Sequence, residues 1–305
     1  MTKLFLLTIV CLPVFAFGQA VEPTESAPQD LSDKGGPPML GIHWARGFEH
    51  ASRAREANSR RNPDMTYHGG PILPDVFTKS IFWGTSWGNY KGDKITGMDS
   101  WYGGFGGSDY AKTSDEYTAY NGQVGPNTTY EGHVIDTSTS TSGNSTSTIL
   151  TEVCKVIKNP DPSGYGYYAV YADTKRGNAN YCAYHSAGTC NGTPMQFAYF
   201  FNLDGDAGCD PQDTSGLHSQ GLAAIANVSG HELSEARTDP TNPGAWYDSS
   251  GEENGDKCAW TFGAPLVTFS NGSEWKIQGE WSNKAYNTGT GYPNSFGQRG
   301  CLSGK

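Results

Sequence analysis

The residues whose types and spacing point most sharply to chemistry are His231, Glu232 and Glu235, in the run from Gly230 to Pro240. On a helix, positions i and i+4 lie on one face, a turn apart. His231 and Glu235 would therefore project together. That is the spacing by which the HExxH helix of zinc peptidases presents two metal ligands. Here glutamate holds the second position, and a carboxylate is a competent zinc ligand. Glu232 stands where such a site keeps its general base, ready to take a proton from water whose pKa zinc lowers to about 7. HExxE is a looser pattern than HExxH, because glutamate is common on helices, and a solvated helix end would carry the same letters.

A catalytic zinc takes three protein ligands. Asp248, in Ala245–Asp248, and Glu253, in Gly251–Cys258, are the candidates for the third, with His185 or His218 as alternatives. The turn at Pro240–Gly244 would fold this stretch back over the helix. Asn227 opens an Asn-x-Ser sequon one turn before His231. A glycan there would crowd the face that has to hold metal and substrate.

Other chemistries have less support. Asp204, Asp206 and Asp210 are spaced somewhat as in a calcium loop, but Ser215 stands where the bidentate glutamate belongs. A plain acidic turn is the expectation. There is no GxSxG elbow and no phosphate-binding glycine loop ahead of a Lys-Ser/Thr pair. A glycosidase carboxylate pair is assembled from distant parts of a chain and is not legible here.

The element that must position the motif is a helix over 217–237, with an apolar stripe at 222, 225, 226, 228 and 233, ended by Pro240. Strands are expected at Val76–Trp83, Tyr165–Ala172, Tyr181–His185 and Phe197–Phe201. Ile149–Ile157 has helical spacing. Trp101–Gly107 reads as a glycine- and aromatic-rich loop, Tyr117–Asn127 as irregular structure, and the C-terminal part as short strands between glycine and asparagine turns. The fold expected is α+β: a single disulfide-bonded secreted domain over 65–305, with mixed or antiparallel strands packed around the one long helix.

The start of the chain reads as an export signal. Lys3 precedes the apolar run Leu4–Phe17, and small residues follow at Gly18 and Ala20, giving an expected signal peptide over 1–20. Residues 21–64 read as a disordered, basic segment. Its run Arg46–Arg61 is either a solvated charged face or part of a pro-segment ending at Arg60-Arg61. Loss of the leader removes Cys11 and leaves Cys154, Cys182, Cys190, Cys209, Cys258 and Cys301, an even set suited to three disulfides, with Cys258–Cys301 a plausible terminal clip. No CxxC pair supports a cysteine zinc site. Sequons stand at Asn127, Asn144, Asn191, Asn227 and Asn271. The net charge of −10 argues against nucleic acid and anionic membrane as partners.

Several of these residues carry a family resemblance. Tyr67–Leu73 with the aromatic strand after it, Tyr181–His185, the helix closing in Thr238-Asp239-Pro240, and the glycine-rich end with Cys301 resemble the Exordium, or phosphate-induced protein, family of plant secreted proteins. The likeness covers most of 65–305. It is closer to a microbial branch with a His-Glu helix followed by Trp-x-Asp and Glu-Asn-x-Asp-Lys-Cys stretches, here His231-Glu232, Trp246–Asp248 and Glu253–Cys258. The resemblance implies secretion, disulfides and a cell-wall or apoplast setting. Plant members lack the His-Glu pair, so a metal site rests on this chain's own residues.

Three functions follow as expectations. The first is a zinc-dependent hydrolase of peptidase type, with His231, Glu235 and Asp248 or Glu253 on zinc and Glu232 as base. The second is a non-catalytic secreted interaction protein, or effector, that binds an extracellular or cell-wall protein. The third is a protein that binds or acts on wall polysaccharide through its tryptophans and tyrosines.

Overall fold

The computed structural model describes residues 31–48 and 63–304. The expected leader, and all but the first residues of the Arg46–Arg61 run, lie outside the described residues. Mixed α and β structure is found, with strands predominating, four helices among the described residues and three disulfides.

The central sheet has six strands: β1 (Ile42–Trp44), β2 (Val76–Trp83), β3 (Thr128–Asp136), β4 (Gly166–Lys175), β5 (Tyr181–Cys190) and β6 (Thr193–Asn202). Their spatial order is β1-β5-β6-β4-β2-β3. β3, β2, β4 and β6 run parallel, whereas β5 and β1 are antiparallel to their neighbours. Parallel strands are buried on both faces and so lack polar alternation. Gly166–Ala172 of β4 is continuously buried, while the edge strand β3 alternates.

Helix α1 (Lys94–Phe105) joins β2 to β3, and α2 (Thr146–Val156) joins β3 to β4. Such crossovers are what parallel neighbours require. Helix α3 (Gln220–Thr238) follows β6 and packs on β5, β6, β1 and α1. The short α4 (Asn283–Thr288) lies near the C-terminus. The expected mixed strands are found, but the expectation of one long helix is corrected: α3 is the longest of four helices among the described residues.

Trp101–Gly107, expected as a loop, is also corrected, because most of it belongs to α1. Trp101, Tyr102 and Phe105 are fully buried, and their packing outweighs the cost of glycine in a helix, about 1 kcal/mol per residue. One of those glycines has a use. A side chain at Gly97 would run into the Leu222 side chain of α3, so Gly97 lets the two helices approach.

The segment read as a linker also differs from its expectation over the described part. Met39 and Ala45 are buried, Ile42–Trp44 is a sheet strand, and Asp33 accepts hydrogen bonds from Thr146 Oγ1 (2.7 Å) and Ser147 N (3.0 Å) at the start of α2. The polar composition concealed a segment ordered by a sheet edge and a helix terminus rather than by its own core.

The disulfides are Cys154–Cys190, which ties α2 to the end of β5, Cys182–Cys209, and Cys258–Cys301. The acidic run is held by cations of the protein itself: Asp206 pairs with Arg176 (2.6 Å) and Asp204 with Lys94 (2.8 Å).

Candidate metal centre

Helix α3 starts where Ser219 accepts a hydrogen bond from Leu222 N at 3.2 Å, a standard N-cap. It is buried from Gly221 to its last residue. His231, Glu232 and Glu235 have no solvent exposure, so the motif is not on a solvated helix end. β5 carries His185 to the same place, and the loop after α3 carries Asp256.

Two groups with metal-ligand character result, sharing Glu235. In one, His185 Nδ1 lies 3.5 Å from Glu232 Oε2 and 3.6 Å from Glu235 Oε2. In the other, His231 Nε2 lies 3.0 Å from Glu235 Oε1 and 3.7 Å from Asp256 Oδ1. Donors about 2.1 Å from a tetrahedral zinc stand about 3.4 Å from one another. The observed separations are of that size.

The donors are also short of partners. His185 Nδ1, His231 Nε2, both Glu232 oxygens and Glu235 Oε2 are buried with no hydrogen-bond partner outside the cluster, so the His–Glu contacts just given are all that offset their burial. A buried polar atom left unpaired costs about 1–3 kcal/mol, more when charged. That several such atoms face one another fits a cation among them, and the mixed nitrogen and oxygen set suits zinc or a similar borderline ion.

The titration behaviour has the same origin. Burial works against charge on His185, yet Glu232 and Glu235 beside it outweigh burial and raise it to about 10. His231 is raised too, chiefly by Glu235 acting against burial. Burial opposes the charge of Glu235, but His231 and His185 hold it down to about 2. Burial, reinforced by Glu235, pushes Glu253 and Asp256 well above the carboxylate range, and burial raises Asp239 to about 7. More carboxyl groups converge here than the histidines can neutralise.

Neighbours fix the ring orientations. His185 Nε2 lies 3.2 Å from the Asp239 carbonyl and donates to it, which turns Nδ1 towards the glutamates. The Gln278 amide nitrogen donates to His231 Nδ1 (3.1 Å) and to the Gly255 carbonyl (2.9 Å). In that arrangement the proton of neutral His231 sits on Nε2, facing Glu235. Ligation through Nε2 moves the proton to Nδ1 and calls for Gln278 to present its carbonyl instead.

The two residues expected as third ligand lie outside both groups. Asp248 is buried in an ion pair with Lys257 (2.6 Å) and accepts from Ser250 N (2.8 Å), so it is already neutralised. Glu253 is buried nearby, with its backbone N–H donating to Asp256 Oδ2 (3.2 Å). His218 stacks on Trp275 and pairs with Asp213 at 3.4 Å, in a separate surface groove. His185, the alternative, does converge with Glu232 and Glu235.

Asp256 lies in the Glu-Asn-x-Asp-Lys-Cys stretch singled out in the sequence, but was not chosen there as a ligand. A loop brings it in, anchored where Asp256 N donates to Glu235 Oε1 at 3.0 Å. His43 was also missed. Its ring lies 4.2 Å from that of His231, and burial and the His231 charge push its pKa well below the usual value. Asn227 is fully buried and its Oδ1 accepts from Gln278 N at 2.8 Å, so in the folded protein it has no room for a glycan.

Among the described residues no helix is long and apolar enough to cross a membrane. No family model matches the chain, and neither do the curated proteins or the solved structures.

Proposed function

We propose that this chain is a secreted zinc-dependent hydrolase of peptidase type, with His231, Glu235 and Asp256 as zinc ligands and Glu232 as general base. The observation that carries the reading is the convergence of donor atoms from α3, β5 and the loop after α3, those of α3 and β5 being buried with no hydrogen-bond partner outside the cluster. Zinc held there would supply Lewis acidity, polarising a carbonyl and making water a nucleophile near neutral pH. Glu232 has no hydrogen-bond partner outside the cluster, and burial raises its pKa from the usual value, which suits a base working near neutrality. His185, 3.5 Å away, holds that carboxylate in place. Three disulfides are typical of an oxidising compartment, and with the apolar leader and the Exordium resemblance they support an extracellular setting.

A second reading, a non-catalytic secreted protein whose zinc is structural, is favoured by the zero exposure of His185, His231, Glu232 and Glu235. Structural zinc sites are closed, whereas catalytic ones keep a coordination position open. Of the aromatics on which the polysaccharide reading rests, Trp83, Trp87, Trp101, Trp275 and Trp281 are core residues, while Tyr67 and Tyr120 are exposed.

The test is metal content of protein made in an oxidising secretory host. About one zinc per chain is expected in the wild type, lost in His231→Ala and retained in Glu232→Gln. Loss of zinc in Glu232→Gln would move the metal to the His185 group and remove Glu232 as base. No zinc in any of them, even after soaking, would end the hydrolase reading.

A further inference from the structure

β5 is an antiparallel strand next to the end of the main sheet, and among the described residues its outer edge is paired by the short end strand β1. An uncovered strand edge is a ready template for an extended chain. The segment that fills it here comes from the N-terminal side, in sequence far from the rest of the site. It runs as a main-chain ladder: Leu40 N donates to His185 O (2.9 Å), His185 N to Gly41 O (3.2 Å) and Ala45 N to Asn180 O (2.9 Å). Ile42 and His43 pair with Tyr184 and Ala183.

This backbone passes directly over the candidate metal centre. A Cβ at Gly41 would overlap Glu235 Oε2 and lie 2.6 and 2.8 Å from His185 Cε1 and Nδ1. Glycine is the residue that can cross there. Two positions on, the buried His43 ring packs against His231 and, at 4.5 Å, Trp260, with Nε2 donating to Gln278 Oε1 at 3.0 Å. Beyond the ladder the segment is held by polar contacts nearer the surface: Asp33 on α2, and Arg46, whose Nε donates to Asp210 O (3.1 Å) and whose guanidinium lies over Trp260.

We propose that the groove between the outer edge of β5 and α3 is a binding site for an extended polypeptide with glycine over Glu235, and that residues 40–45 of this chain occupy it in cis. The ligand class follows from the mode of binding. Backbone hydrogen bonds to a strand edge give affinity for any extended chain, and pockets beneath alternate side chains give selectivity. Here the selective features are the absent side chain at position 41 and the imidazole two residues later. The same segment explains why the cluster beneath it has no exposure. The inference names the substrate class of the proposed hydrolase, and rests on that reading only for what happens to the peptide once bound.

The experiment uses the full-length chain and the variant Gly41→Leu, whose side chain has no room over Glu235 and so dislodges the strand. Amide hydrogen exchange at Tyr181–His185 is expected to rise at least about tenfold in the variant. A labelled synthetic peptide of residues 38–46 is expected to bind the variant and not the wild type, and the same peptide with leucine for glycine to bind neither. Should Gly41→Leu fail to fold, Asp33→Ala combined with Arg46→Ala loosens the same segment from outside the core, with the same two readouts. A folded variant whose β5 amides stay protected, or whose β5 is exposed and captures no peptide, overturns the proposal. Zinc is measured on the same samples. Peptide capture without zinc supports this inference and ends the hydrolase; zinc without peptide capture does the reverse.

Discussion

At the scale of single residues, the controlling fact is that five carboxyl groups (Glu232, Glu235, Asp239, Glu253 and Asp256) are crowded around His185 and His231, the first four buried and Asp256 15% exposed. Charge balance at such a place needs protons or a metal. His231 holds its proton above the usual pKa in the metal-free protein, so zinc must displace that proton to bind. Zinc affinity is therefore expected to rise between pH 6 and pH 8 with proton release, which calorimetry in buffers of differing ionisation enthalpy measures. Without metal the sign reverses for stability. His185 is raised from about 6.5 unfolded to about 10 folded, so its contribution is complete below the lower value and lost as pH rises through the upper one. Chelated protein should thus become easier to unfold in urea between pH 7 and pH 10. Glu232→Gln is expected to lower peptide turnover by about 10²–10⁴-fold with zinc retained; unchanged turnover would remove Glu232 from the chemistry.

At the scale of elements, α3 does most of the positioning. It presents His231 and Glu235 one turn apart, and its contact with α1 and β5 fixes where they point. Its start depends on the Ser219 cap, whose hydroxyl also donates to Asp93 Oδ1 at 2.6 Å. Ser219→Ala is expected to cost about 1 kcal/mol in urea unfolding. Gly97→Val would wedge α1 off α3, an overpacking that costs about 1–3 kcal/mol and should also weaken the proposed zinc binding, because the helix carrying the proposed ligands moves. Normal zinc affinity in a destabilised Gly97→Val protein would show that α1 does not help to hold the site.

At the scale of the whole molecule, two disulfides tie elements of the main core, and the third anchors a part with only a small core of its own. The C-terminal part is built from strands of two to four residues, and Cys258–Cys301 ties it together across a separation of 43 residues. Replacing both cysteines by serine is expected to cost about 4 kcal/mol by loop-closure entropy, read from the urea midpoint. Burial across the molecule also sorts the sequons. In protein from a glycosylating host, glycopeptide mapping should find Asn227 bare, since its side chain is internal, while Asn144, in an exposed turn, is open to modification.

Much of this was legible in the residues because the physics involved is local. The i, i+4 spacing of His231 and Glu235, the apolar stripe of α3 and its end before Pro240, and the β-branched and aromatic run Val76–Trp83 are each set by neighbours a few positions away. The even set of cysteines likewise pointed to three bridges. The partners of those local features were decided by tertiary structure. Asp248 and Asp256 are both acidic loop residues close after the helix, and in the fold Lys257 pairs with Asp248 while Asp256 meets His231. Helix α1 forms despite its glycines because its aromatic residues find a core that no local pattern shows. Ile42–Trp44 reads as polar-flanked linker until the edge of β5 supplies its hydrogen bonds. Local sequence sets which conformations are cheap, whereas charge pairing, edge pairing and burial act between residues far apart in the chain, and only the fold brings those together.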